Sequence, residues 1–256
     1  MGQVTVGVSL KTYFGRAEAL AWFEQVAARI RLHEAVRTGS VEVFVIPTYL
    51  QIDDAVRTFT DTAIKIGAQD VSEYPPGAFT GEVSATELVE SGVEVAEIGH
   101  AERRRLFAET DAVVAAKTKA ALSEGITPVL CLGETEHLSP ADAAATTVAQ
   151  LHSAIAGAAA GPLIVAYEPV WAIGAPEPAP AHHIGAVTTA LRAALDALDG
   201  RDGSAVIYGG SAGPGLLTAL DGAADGLFLG RFAHNPDAFV AVLDEAASLA
   251  AARSRP

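Results

Sequence analysis

Leu163-Ile164-Val165-Ala166-Tyr167-Glu168-Pro169-Val170-Trp171-Ala172-Ile173-Gly174 is the stretch whose reading decides the fold. Leu163 to Tyr167 is apolar without interruption, as a strand buried on both faces of a parallel sheet must be. Glu168 follows directly. Pro169 has no N–H to donate and ends the ladder, and Ala172, Ile173 and Gly174 open a segment of small residues. A carboxylate is thereby fixed at the carboxyl end of a buried strand, at the root of a loop free to move. In parallel α/β proteins that end is where ligands bind. A lone glutamate there also reads as a solvated acid, so the other strand ends decide.

Working outward, seven more apolar runs occur, at 4–9, 41–46, 63–68, 93–99, 127–133, 205–208 and 226–229. Stretches with three-to-four-residue periodicity lie between and after them, at 17–30, 111–122, 141–155, 186–198 and 237–250, with weaker ones at 51–58, 86–91 and 214–220. Eight strand–helix units in about 250 residues are the arithmetic of an α/β chain closed into a (β/α)8 barrel. A doubly wound open sheet is the alternative, but it usually has fewer strands at this length, and no GxGxxG follows the first run. No linker-like shift in composition breaks the middle. One domain over 1–256 is expected, with 253–256 as a frayed tail.

The 256 residues, 50% of them hydrophobic, suffice for a large core. Seventeen basic against 31 acidic residues give a net charge of −14, which argues against nonspecific nucleic-acid or anionic-membrane partners. Cys131 is the single cysteine, so no internal disulfide forms; within Val129-Leu130-Cys131-Leu132 it reads as a packed core thiol. With no signal-peptide pattern and no apolar run of transmembrane length, a soluble, cytoplasmic protein is expected.

Polar and titratable residues gather at one end of the inferred strands. Ser9-Leu10-Lys11 follows the first run and Gln69-Asp70 the third. His100-Ala101-Glu102-Arg103-Arg104 follows the fourth, Glu168 the sixth, Gly209-Gly210-Ser211 the seventh and Gly230-Arg231 the eighth. Taken singly these read as a surface lysine, a satisfied buried histidine and ordinary turns. In a barrel they converge on one mouth and make a cation, a donor and a base. His100 opens a short helical turn, whose dipole opposes positive charge on the ring; a neutral imidazole donates a hydrogen bond without carrying charge. Glu102 is placed to pair with Lys11 and orient it. The two glycine turns offer backbone N–H groups as an anion cradle, and Gly174 adds another when its loop closes. Such a set suits removal of a proton next to the carbonyl of a small phosphorylated sugar, with the loop excluding water. It requires no metal and no cofactor. His182-His183 reads as a solvated helix start.

On these residues the sequence resembles the triosephosphate isomerase family over nearly the whole chain. The motifs are Ala68-Gln69, Gly77-Ala78-Phe79-Thr80-Gly81-Glu82, Ile98-Gly99-His100-Ala101-Glu102-Arg103-Arg104, Cys131-Leu132-Gly133-Glu134-Thr135, the stretch from Ala166 to Gly174 quoted above, and Tyr208-Gly209-Gly210-Ser211. The resemblance implies a TIM barrel and metal-independent isomerisation through a cis-enediol(ate). It implies Glu168 as base, His100 as neutral electrophile and Lys11 as electrostatic partner, with Gly174, Ser211 and the turn at Gly230 on phosphate. It also implies a homodimer in which the loop bearing Thr80 reaches the partner's site near Lys11.

The departures narrow the expectation. Ser9 stands where the family has Asn, Leu10 where it has Trp, Ala101 where it has Ser, and Asp70 where it has Asn. Ala175-Pro176-Glu177-Pro178-Ala179-Pro180 replaces the usual lid tip, and Gly230-Arg231 replaces two glycines. Ser9 opens room for a substrate one hydroxymethyl group longer than a triose phosphate. Ser9 before the site lysine, with Gly-Arg after the eighth run, is similar to the tetrulose-phosphate isomerase branch of the family. The expected reaction is L-erythrulose 1-phosphate to D-erythrulose 4-phosphate. Interconversion of triose phosphates and a non-catalytic phosphosugar-binding barrel are the alternatives.

Overall fold

The computed structural model describes residues 3–254. Eight strands, β1 (Val4–Ser9), β2 (Val41–Ile46), β3 (Ile64–Ala68), β4 (Val95–Ile98), β5 (Thr127–Leu132), β6 (Ile164–Tyr167), β7 (Ala205–Tyr208) and β8 (Gly226–Leu229), follow the apolar runs. Each pairs in parallel with the next, and β8 pairs with β1 to close the barrel. The ends of the runs at 93–99 and 127–133 overshoot by one or two residues, because a strand stops where its ladder stops, not where its apolar residues do.

The uninterrupted hydrophobicity of the strands has two outlets. Val4, Val6 and Val8 of β1 belong to the layer packed against the helices, with Trp22, Phe23 and Phe239. Phe44, Ile46, Val95, Val129, Ile164, Ile207 and Phe228 fill the barrel interior. Both faces of each strand are therefore dry, and each such side chain stabilises the fold by about 1.5–3 kcal/mol on leaving water. Small and large residues interlock inside. A Cβ at Gly7 would stand 1.9 Å from the ring of Phe44, so the phenylalanine occupies the space that glycine vacates.

The outer helices start where local chemistry satisfies their free N–H groups. Ser139 accepts from Asp142 N ahead of Pro140–Ala154, and Asn235 accepts from Asp237 N and Ala238 N ahead of Pro236–Arg253. Two expectations change. The helix expected at 186–198 spans Ala181–Asp196, and its phase turns the second histidine inward: His182 is exposed, but His183 is buried, with Nε2 at 3.0 Å from the Tyr167 hydroxyl. The tail expected from 253 begins later. Arg253 ends the last helix and donates to the carbonyls of Gly222 and Ala224, while residues 255 and 256 lie outside the described residues. Among the described residues no helix is long and apolar enough to cross a membrane.

Each mouth of the barrel opens into a cavity. The one at the amino ends of the strands, about 730 Å³, is lined by cations already paired with acids, Lys65 with Glu42 and Arg192 with Asp225. The one at the carboxyl ends gathers the residues singled out in the sequence.

Candidate active site

That cavity, about 700 Å³, is lined by Ser9, Lys11, His100, Glu102, Glu168, Gly174, Gly209, Gly210, Ser211, Gly230 and Arg231. Eight strands pointing the same way bring together residues separated by more than two hundred positions.

Lys11 sits just past β1 with φ +47, a left-handed conformation that costs a non-glycine residue about 1–3 kcal/mol and marks functional sites. Gln69 Nε2 holds the strained unit by donating to Lys11 O at 2.8 Å. The Lys11 ammonium donates to Glu102 Oε1 at 2.9 Å, the pairing expected from the sequence. Burial opposes its charge, but the Glu102 hydrogen bond and the nearby carboxylates prevail and hold its pKa above the ordinary lysine value.

His100 is the N-cap of the helix Ala101–Phe107, and its Nδ1 accepts from Glu102 N at 3.1 Å. An accepting Nδ1 leaves the ring proton on Nε2, which faces Glu168. Burial first, and the Lys11 charge second, push the imidazole pKa down to about 4. The sequence reading assigned this to the helix terminus; the larger cause is desolvation. The ring is a neutral donor either way.

Glu168 is locked from two sides. Its N donates to Leu132 O at 2.7 Å. A Cβ on Gly133 would strike its carbonyl oxygen at 2.0 Å, and one on Gly209 would meet its Cγ at 2.6 Å, so both glycines are needed for the close approach. The carboxylate is 5% exposed, and Oε2 has no hydrogen-bond partner and stands 3.6 Å from His100 Nε2. Burial, and then the charge of Glu97, raise its pKa. A buried, unpartnered oxygen with its pKa raised has the chemistry of a general base. Cys131 lies in the barrel interior beside it, and burial holds its thiol neutral, as the core-thiol reading requires.

The far rim carries the two glycine turns expected to cradle an anion. Ser211 Oγ donates to Ala175 O at 2.6 Å and to Ala172 O at 3.3 Å, while the Tyr208 hydroxyl accepts from Ala179 N at 3.0 Å. These bonds pin the lid, the loop after β6, onto the turn after β7. A Cβ on Gly210 would strike the Tyr208 hydroxyl at 2.1 Å. Gly174, at φ +72, joins the rim from the lid. Arg231 is exposed, and its Nη2 reaches 4.0 Å from the point where a Gly174 side chain would begin. Among the described residues it has no acidic partner, so a lone guanidinium overhangs the cradle. Thr80 is exposed on its loop and does not line this cavity.

Three parts of the site escaped the sequence reading. Arg105 and Tyr13 also line the cavity, and nothing in their spacing signals it. Glu134, quoted in a motif without a role, is buried and accepts from the Tyr167 hydroxyl at 3.1 Å and Trp171 Nε1 at 2.8 Å, with His183 Nε2 at 3.2 Å. It anchors the root of the lid. Glu97 points into the barrel with Ser9 Oγ donating to its Oε2 at 2.8 Å. Its signal was a charge inside an apolar run, two residues after Val95 and therefore on the same inward face.

A base, a neutral donor and a cation across one cavity from an amide-lined cradle can move a proton between adjacent carbons of a small anion. A family model described as triosephosphate isomerase matches residues 4–246. The L-erythrulose-1-phosphate isomerase of Pectobacterium atrosepticum is 47% identical over 251 residues, 96% of this chain and 97% of that protein. That of Rhizobium etli is 36% identical over 261 residues, 99% and 96%. The triosephosphate isomerase of Symbiobacterium thermophilum is 38% identical over 231 residues, 87% and 89%. The crystal structure of triosephosphate isomerase from Bartonella henselae superposes with a TM-score of 0.81 at 27% identity, covering 94% of this chain and 98% of that one. Fold, site and relatives define an isomerase of the intramolecular oxidoreductase class. The chain belongs to the triosephosphate isomerase family.

Proposed function

We propose that the protein converts L-erythrulose 1-phosphate to D-erythrulose 4-phosphate through a cis-enediolate, without a metal. The observation that carries the chemistry is the buried, unpartnered Glu168 Oε2 facing His100 Nε2 at 3.6 Å. Glu168 removes the proton from C3, next to the C2 carbonyl. His100 Nε2–H and the Lys11 ammonium stabilise the oxygen that gains charge. The same proton returns to C2, a proton passes from the C3 hydroxyl to the C2 oxygen by way of His100 Nε2, and the carbonyl is left at C3. The family's known pairing of a carboxylate base with a neutral imidazole is the same device. Glu102 holds the ammonium in place. Backbone N–H groups at Gly174, Ser211 and Gly230 and the Arg231 guanidinium hold the phosphate.

The four-carbon substrate is supported by Ser9, whose short side chain leaves room beside the reacting carbons, and by the name of the relative at 47% identity. A triose phosphate is the second reading, favoured by relatives named triosephosphate isomerase at 38% identity. A pure phosphosugar binder has no use for the poised carboxylate. We further propose a cytoplasmic homodimer of single-domain subunits. Exposed Tyr74 and Phe79, stacked at 4.2 Å on the loop that bears Thr80, support an apolar contact with a second copy near Lys11.

The test is steady-state kinetics of the purified protein on both substrates. A higher kcat/KM on the tetrulose phosphate supports the assignment; a triose-phosphate value far above it replaces that reading with the second.

A further inference from the structure

The carboxyl of Glu97 takes no part in the proton transfer just described, yet it stands beside His100 and bonds Ser9 at the cavity wall. It leaves β4 into the barrel interior, 3% exposed. Its Oε2 is bonded to Ser9 Oγ at 2.8 Å, and its Oε1 is 4.0 Å from His100 Nε2, the nitrogen that Glu168 Oε2 faces at 3.6 Å. Two carboxyls therefore flank one imidazole N–H. Ser9 separates one of them from the cavity that it lines.

As filler, this acid would be a poor choice. It pairs with Val129 and shares the barrel interior with Val95 and Cys131, and an ionised carboxylate buried there with one hydrogen bond is costly. The charged and titratable groups around it are Lys11 after β1, Asp70 after β3, His100 and Glu102 after β4, Cys131 on β5 and Glu168 after β6. Lys11 is the one cation among them, and Glu102 already pairs with it. One ammonium cannot balance Glu97, Glu168, Glu102 and an incoming phosphate together. Two like-charged carboxyls in such a site titrate as a pair and keep a proton between them.

We propose that Glu97 is a positioning residue that holds the shared proton while Glu168 acts as base, and through it turns the Ser9 hydroxyl toward the substrate. As an acid, Glu97 donates its O–H to Ser9 Oγ, and Ser9 gives its own O–H to a substrate oxygen beside the reacting carbons. As a carboxylate, Glu97 accepts the Ser9 O–H and withdraws that donor from the cavity. The pair holds one proton at rest and a second while Glu168 carries the proton taken from C3, and that second proton goes back to the substrate at C2, so nothing is taken from or released to solvent. The identity of the oxygen that Ser9 meets, the terminal hydroxyl of a tetrulose phosphate, rests on the substrate reading above; the proton-holding role rests on the geometry alone.

The test is the pH dependence of kcat/KM for wild type, Glu97→Gln and Ser9→Ala, each on tetrulose phosphate and on triose phosphate, with thermal unfolding as a fold check. Wild type should give a bell, its acid limb from the first ionisation of the pair and its alkaline limb from the second. Glu97→Gln keeps a donor to Ser9 and stands in for the protonated acid. Its acid limb should stay near the wild-type position and its alkaline limb should vanish, with activity kept within about tenfold of wild type. Should that variant not fold, Ser9→Ala decides: about a tenfold loss on the tetrulose phosphate, larger than on the triose phosphate, is expected. An alkaline limb that persists in Glu97→Gln, or a wild-type profile and rate in Ser9→Ala, would overturn the proposal. A wild-type enzyme that turns over only triose phosphate would remove the substrate reading and leave the proton-holding role to be judged on that substrate.

Discussion

Gly209→Ala is the sharpest perturbation that the site offers. Gly209 does not adopt a left-handed backbone, so alanine brings no conformational penalty of its own. Its methyl group would stand 2.6 Å from Glu168 Cγ and 2.7 Å from Glu168 Oε1. Ordinary contact begins near 3.5 Å, so about 0.9 Å must be found. The main chain of Glu168 cannot give way, because its carbonyl oxygen already lies against Gly133, where a Cβ would come to 2.0 Å. The carboxylate must move instead, and it moves away from the substrate's reacting carbon. A misplacement of about 1 Å costs on the order of 10²-fold in rate, about 2.7 kcal/mol of barrier. Overpacking costs about 1–3 kcal/mol of stability, so Tm should fall modestly while the protein stays folded. The assay is kcat and KM on both sugar phosphates, thermal unfolding, and calorimetric binding of inorganic phosphate. The expected result is a kcat lowered about 100-fold with phosphate affinity nearly unchanged. A kcat within about threefold of wild type in a folded variant would refute the claim that Glu168 is held by this contact.

Other outcomes follow from the same geometry. Because burial and Glu97 raise the Glu168 pKa and the base works as an anion, kcat/KM should fall as pH drops through a value above the ordinary carboxylate range; a limb at ordinary carboxylate pH would contradict this. His100, pushed down to about 4, should add no limb near neutrality, and imidazole signals in an NMR titration should show it uncharged from pH 6 upward. Glu134→Gln weakens the bond from Trp171 Nε1, a charged contact of about 1.5–3 kcal/mol; we expect altered Trp171 fluorescence and about a tenfold lower kcat/KM, and unchanged fluorescence with full activity would show the lid root does not depend on it. Arg231→Ala should raise KM about tenfold with kcat little changed and weaken the salt dependence of kcat/KM; an unaltered KM would place the guanidinium off the ligand.

The barrel was legible because parallel strands buried on both faces leave unbroken apolar runs, as at Leu163 to Tyr167, and because eight of them leave room for little else. The site was legible where chemistry sits immediately beyond a run, as Lys11, His100 and Glu168 do. Glu97 was harder to see, since its meaning lies in the parity of a short strand and in Ser9 across the barrel, 88 positions away. His183 was misread because a histidine at a helix start turns inward or outward on one residue of phase, and only Glu134 and Tyr167, brought by other strands, make the inward choice favourable. Arg105 and Tyr13 face the cavity through loop geometry that no spacing rule encodes.

Pro176, Pro178 and Pro180 fall within five residues of the lid, and each fixes its own φ and restrains the residue before it. A segment so constrained has few shapes to lose when it docks, so we expect it to swing as a stiff flap about its two ends, at Val170–Ala172 and at the start of Ala181–Asp196. Less disorder is surrendered on shutting, and less is recovered on opening. For this barrel we expect the tempo of product escape to follow how readily the Ser211 and Tyr208 bonds let go, and turnover should carry the steep temperature dependence of breaking bonds rather than the shallow one of uncoiling a chain.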